Sequence, residues 1–213
     1  MIHDFPVDIY PVTCEALSSG RSDLEVLEGV AAGGAKVIQL REKKWDRLRL
    51  YETAMEFRRI TRTHGMLLII NDWIDLAQMV EADGVHLGRN DLPIREARRI
   101  APDLIIGASS HSLDEALEAQ DQGATYVNIG PIFATGTKPG AIPLGPDITS
   151  EIAPHLHIPF TVMGGINVDN IEKVLSRGAT RIAMVSGITG APDIPQRVRD
   201  LRQLMRSGRL DSD

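Results

Sequence analysis

Met66-Leu67-Leu68-Ile69-Ile70 is an unbroken apolar run that follows Gly65 and leads into Asn71-Asp72. A strand with one wet face alternates apolar and polar residues. A strand without that alternation is buried on both faces, as in a parallel sheet covered by helices on both sides. The neighbouring segments fit that reading. Lys36 to Arg41 and Gly84 to Leu87 read as strands. Trp45 to Thr63 carries a helical stripe of Leu48, Tyr51, Met55 and Ile60 and ends near Gly65, and Ile74 to Val80 is a short helix.

The same rhythm continues in both directions. Val7 to Thr13 reads as the first strand, weakened by Pro11, which removes a ladder donor. Leu24 to Ala32 is a helix stopped by Gly33-Gly34. Pro93 to Ile100 is a helix with proline in its first turn. Leu104 to Ala108 is a strand, and Ser112-Leu113-Asp114-Glu115 opens a helix with a capping-box pattern that ends near Gly123. Thr125 to Ile129 and Ile158 to Met163 are strands around a short helix, Asp147 to Ala153. Asn167 caps a helix running to Gly178, Thr180 to Val185 is the last strand, and Ile194 to Met205 the last helix. Eight strands alternate with eight helices, and no dinucleotide-binding glycine fingerprint is present. The expected fold is therefore α/β, a single (β/α)8 TIM barrel over residues 1–206, with a polar, frayed tail over 207–213.

Composition narrows the function. The 213 residues are 43% apolar and 24% charged, enough apolar content for a real core. A net charge of −6 without a basic run speaks against nucleic acid and anionic membranes as partners. No apolar run approaches membrane-spanning length, and the start lacks the pattern of a signal peptide. One cysteine, Cys14, excludes an intrachain disulfide and points to a cytoplasmic location. An anionic small molecule would have to be held locally, by a few placed cations or a metal. Oligomeric state is left open, a homo-oligomer included.

In such barrels the active site lies at the C-terminal ends of the strands, and polar residues gather there. Gln39, Arg41 and Lys43 alternate and can share one face of an extended segment. Two cations beside an amide suit a diphosphate, and the alternative is a solvated strand end whose charges pair with Glu42 or Asp46. Asp72 and Asp91 leave neighbouring strands. Each alone reads as a helix cap; together, opposite the cationic trio, they suit Mg²⁺ that also takes phosphate oxygens. Gly130 to Gly140 is a loop whose Thr135, Thr137 and Lys138 offer two hydroxyls and an ammonium to phosphate oxygens, or else a plain Gly/Pro-rich surface loop. Gly164-Gly165 and Ser186-Gly187 stand where these barrels often bind phosphate, or form tight turns. His86 reads as a satisfied core group and Cys14 as packing, and no histidine pair has zinc-ligand spacing.

Six motifs in order resemble the thiamine phosphate synthase family: Gln39-Leu40-Arg41-Glu42-Lys43, Ile70-Asn71-Asp72, Asp83 to Gly88, Gly107 to Ser112, Gly130 to Lys138, and Gly164-Gly165-Ile166. The resemblance runs from about Ile9 to Ile188. It implies a magnesium-dependent transferase that joins a pyrimidine methyl diphosphate to a thiazole phosphate, releasing pyrophosphate. By that resemblance Gln39, Leu40, Arg41, Glu42, Lys43, Asn71, Ser109 and Lys138 bind the pyrimidine diphosphate. Of these, Arg41, Lys43, Ser109 and Lys138 serve catalysis. Thr135, Gly136, Thr137, Gly165, Val185 and Ser186 hold the thiazole phosphate, and Asp72 and Asp91 hold Mg²⁺. Arg89 stands where the family usually has Gln, and Cys14 where it has an acid. A thiazole tautomerase-like isomerase and a non-catalytic thiamine-related barrel are the alternatives. The tautomerases carry a histidine at the place of Pro131.

Overall fold

The computed structural model describes residues 5–137 and 140–210. In it the apolar run becomes β3 (Leu67–Asn71), the third of eight parallel strands. The others are β1 (Ile9–Pro11), β2 (Val37–Leu40), β4 (Gly84–Leu87), β5 (Ile105–Ser110), β6 (Tyr126–Ile129), β7 (Phe160–Met163) and β8 (Ile182–Met184). From β2 to β8 each strand pairs with its sequence neighbour, and β1 pairs with β8 through Ile9–Ile182, Tyr10–Ala183 and Pro11–Met184. The ends of the sheet meet at a parallel bridge between Val12 and Gln39, with Thr13 N–H donating to Gln39 O at 2.9 Å. The sheet thus closes into the expected (β/α)8 barrel.

The α-helices among the described residues are α1 (Asp23–Ala32), α2 (Arg47–His64), α3 (Ile74–Met79), α4 (Ile94–Ile100), α5 (Leu113–Asp121), α6 (Ile148–Ile152), α7 (Ile171–Leu175), α8 (Ser186–Thr189) and α9 (Ile194–Leu210). Period-two alternation sorts the strand residues into two cores. Leu68, Ile70, Val85, Ile106, Val127 and Val162 point outward and pack with the helices. Tyr10, Val37, Ile69, Ile105 and Tyr126 fill the barrel interior, and Phe5 joins them there.

Some ends differ from the sequence reading. Helix α9 continues through Leu210, so residues 207–210 are helical rather than a frayed tail, while 211–213 lie outside the described residues. Asn167 does not cap α7, which begins at Ile171. It instead forms a tight turn in which Asn170 Oδ1 accepts from Asn167 N–H at 2.9 Å. Ser112 caps α5 as expected, but Glu115 spends its carboxylate on His111, accepting from the backbone N–H at 2.7 Å. A complete capping box forms instead at Ser22 and Glu25. Helix α8, one turn long, has no separate signal in the sequence.

Candidate active site

The C-terminal ends of the strands enclose a cavity of about 500 Å³. Gln39, Arg41, Lys43, Asn71, Asp72, Asp91, Ser109, Thr135, Thr137, Gly165, Val185 and Ser186 all line it, together with His86, Arg89, Asn128 and Pro131. Leu40 and Glu42 do not. The alternation that turns Gln39 and Arg41 inward turns Leu40 outward into the helix-facing core, where it is 1% exposed. Glu42 accepts from the Glu15 backbone N–H at 2.7 Å instead. Gly136 is exposed and lies off the lining, and Lys138 lies outside the described residues. A larger hollow of about 860 Å³ sits at the opposite end of the barrel, beside Pro6, Gly65 and Pro102, away from these groups.

The acids and bases of the mouth contact one another. Lys43 Nζ lies 3.1 Å from Asp72 Oδ2, so Lys43 pairs across to β3 rather than with Glu42 or Asp46. Asp46 is occupied as the cap of α2. Neither Asp72 nor Asp91 caps a helix: the capping positions of α3 and α4 are Trp73 and Pro93, which make no side-chain cap hydrogen bond. Asp91 Oδ2 accepts from Gly88 N–H at 2.6 Å. Burial, and after it the facing Asp72 carboxylate, pushes the Asp91 carboxyl above its ordinary range, against the pull of the Gly88 N–H. Asp72 itself holds φ at 64°, a left-handed backbone that a residue with a Cβ adopts at some cost. Two carboxylates held this close leave a negative site that a small divalent cation fits. Among the described residues no third His, Cys, Asp or Glu joins them, so the remaining ligands would come from water and phosphate oxygens.

The far side of the cavity is built from backbone. Gly164 and Gly165 have φ of 101° and 63°. A Cβ on either would run into the backbone of the Pro131–Ala134 loop, so only glycine fits this close approach. Ser186 opens α8, whose first N–H groups have no intrahelical acceptor. Thr135 and Thr137 hydroxyls lie 3.1 Å apart on the facing loop.

The floor is polar and buried; the sequence reading named its Gln39, Ser109 and His86 but missed the two tyrosines that join them. Tyr10 and Tyr126 hydroxyls meet at 2.9 Å, Gln39 Nε2 donates to Tyr10 at 2.8 Å, and His86 sits between Tyr126 and Ser109 at 3.0 Å from each. Burial pushes His86 down to about 4, so the imidazole is neutral. The available signal was a glycine inside a strand, Gly107 in β5. A Cβ at Gly107 would overlap the Tyr126 ring.

A family model described as thiamine monophosphate synthase matches residues 9–188. The chain belongs to this family. It is similar to the thiamine-phosphate synthase of Chloroflexus aurantiacus, at 45% identity over 92% of both chains. It is also similar to that of Pelotomaculum thermopropionicum, at 44% identity over 93% of this chain and 92% of the relative. Among solved structures, thiamine phosphate pyrophosphorylase from Pyrococcus furiosus superposes with a TM-score of 0.88 at 37% identity, covering 95% of this chain and 96% of its own. A 3-hexulose-6-phosphate synthase, with a TM-score of 0.66 at 20% identity, shares the fold alone. As a thiamine monophosphate synthase family member, the chain brings at least one described residue of each of its six motifs to the cavity: Gln39, Asn71, His86, Ser109, Pro131 and Gly165. Arg89 lines the cavity and pairs with Glu115 at 3.5 Å and Glu118 at 3.3 Å.

Proposed function

We propose that the protein is a thiamine-phosphate synthase. It would transfer the pyrimidinylmethyl group of 4-amino-2-methyl-5-(diphosphomethyl)pyrimidine to the nitrogen of the thiazole phosphate, releasing pyrophosphate. The observation that carries this reading is the contact of Lys43 with Asp72, with Asp91 beside it, in the cavity that Arg41 and Gln39 share.

The diphosphate sits against Arg41 and Lys43, whose charges stabilise it most as its bridging C–O bond breaks. Asp72 and Asp91 would hold Mg²⁺, which when bound neutralises the leaving diphosphate. Asn71 and Ser109 orient the pyrimidine, whose ring delocalises the positive charge left on its methylene. The thiazole nitrogen donates its lone pair to that carbon. Thr135, Thr137, Gly165 and Ser186 hold the thiazole phosphate in line, and Lys138 joins the diphosphate contacts. The apolar walls from Val12, Ile166 and Met184 keep water from the electrophilic carbon.

Pro131 lines the cavity but has no group able to move a proton, which weighs against the isomerase reading. Among the described residues no helix is long and apolar enough to cross a membrane. A cytoplasmic location belongs to the same proposal, from the lone cysteine. The test is product formation: thiamine phosphate, identified by mass, should appear only when both substrates are supplied. Its absence with both present would overturn the reading.

A further inference from the structure

Gln39, Tyr10, Tyr126, His86 and Ser109 form one unbroken line of hydrogen bonds across the barrel, with steps of 2.8, 2.9, 3.0 and 3.0 Å. Four of the five are buried, and Gln39, Tyr10 and His86 touch the cavity only at an edge, whereas Ser109, at the end, is the more open to it. A line of this kind has a direction, because each phenol carries one proton. The Gln39 amide N–H group can only donate, so Tyr10 accepts from it. With each hydroxyl accepting once and donating once along the line, Tyr10 gives its own proton to Tyr126, and Tyr126 gives its proton to His86 Nδ1. A neutral imidazole that accepts at Nδ1 carries its proton on Nε2, and Nε2–H donates to Ser109 Oγ. Ser109 has then accepted once, and its own proton is left for the cavity.

We propose that Tyr126 and His86 are positioning residues that fix the direction of the Ser109 hydroxyl, making it a donor toward the bound ligand. The ligand must offer an acceptor there, such as an unprotonated ring nitrogen. This use of Ser109 rests on the synthase reading; the direction of the line does not. The packing holds the line in place. The Tyr126 ring stacks on Phe5 with centroids 4.3 Å apart and meets the Tyr10 ring edge-on at 6.0 Å. Gly107 leaves the space the ring occupies. Tyr126→Phe therefore keeps the packing and removes only the hydroxyl that selects the His86 tautomer.

Two measurements on the full chain test the proposal. The first is ¹⁵N NMR of the histidine side chains. Wild-type His86 should show a protonated Nε2 and an unprotonated Nδ1, and Tyr126→Phe should shift it toward a tautomer mixture. A wild-type ring protonated at Nδ1 overturns the proposal whether or not the variant folds. The second is a double-mutant cycle on kcat/KM. Tyr126→Phe should cost about tenfold with Ser109 present and nothing further in Ser109→Ala. Equal losses in both backgrounds, or no loss in either, would overturn it. Absence of turnover in the wild type would instead sink the synthase reading and leave the NMR result to decide the direction of the line.

Discussion

The Lys43 ammonium lies 3.1 Å from Asp72 Oδ2, and Asp72 in turn faces Asp91. A cation and two acids from successive strand ends thus sit at one mouth before any ligand arrives. Lys43 is 52% exposed, so the pair adds little to stability, and its value is in placement. Lys43→Ala should lower kcat/KM about a hundredfold or more, the scale of losing one charge-stabilising group, with thermal stability nearly unchanged. Steady-state kinetics beside a melting curve checks both halves.

Asp91 accepts from Gly88 N–H and shares its site with Asp72. Removing one of two carboxylates should weaken Mg²⁺ more than it weakens either substrate. Asp91→Asn is expected to raise the half-saturating Mg²⁺ concentration by at least about tenfold, since even outer-shell changes reach that size. A Mg²⁺ titration of initial rates reads this directly. An unchanged half-saturation would take Asp91 out of the metal site.

Lys138 lies outside the described residues, and its role rests on the family resemblance. Lys138→Ala should lower turnover strongly and leave the circular dichroism spectrum and melting temperature as they are. Unchanged turnover would remove the lysine from the mechanism.

Asp23 is 1% exposed, and burial, followed by the nearby Glu42 charge, raises its carboxyl to about 8. The unfolded chain titrates near the ordinary 3.8, so between these values the folded state holds a proton that the unfolded state has lost. This term makes stability fall as pH rises through that window. Asp23→Asn removes it. The variant's melting temperature should match or trail the wild type near pH 4 and exceed it at pH 8, by about 2–4 °C per kcal/mol recovered in a chain of this size. Melting curves across that range check it, and a difference that does not change with pH would contradict it.

The barrel was legible because its strands are buried on both faces, and runs such as Met66 to Ile70 carry no competing period. Much of the cavity lining was legible for a related reason. Polar residues such as Asn71, Asp72 and Ser109 stand where an apolar strand stops, and the fold brings those stops to one end. The caps were harder. Asn167 and Asn170 are equally able to start a helix, and only the turn between them decides. Glu115 was equally able to reach back to Ser112 or to His111. The Tyr10–Tyr126 line was not legible because an inward tyrosine in a short strand looks like any large core residue. Its hydroxyl partners come from β2 and β4, far away in sequence.

The most direct single measurement is pyrophosphate release by the wild-type chain with both substrates, at saturating Mg²⁺ and again after chelation. Release matched one for one by thiamine phosphate, and abolished by chelation and restored by added Mg²⁺, is the expected result. Pyrophosphate released at the same rate without divalent metal, or none released with both substrates and Mg²⁺ present, would contradict the placement of two acids and two bases around a departing diphosphate.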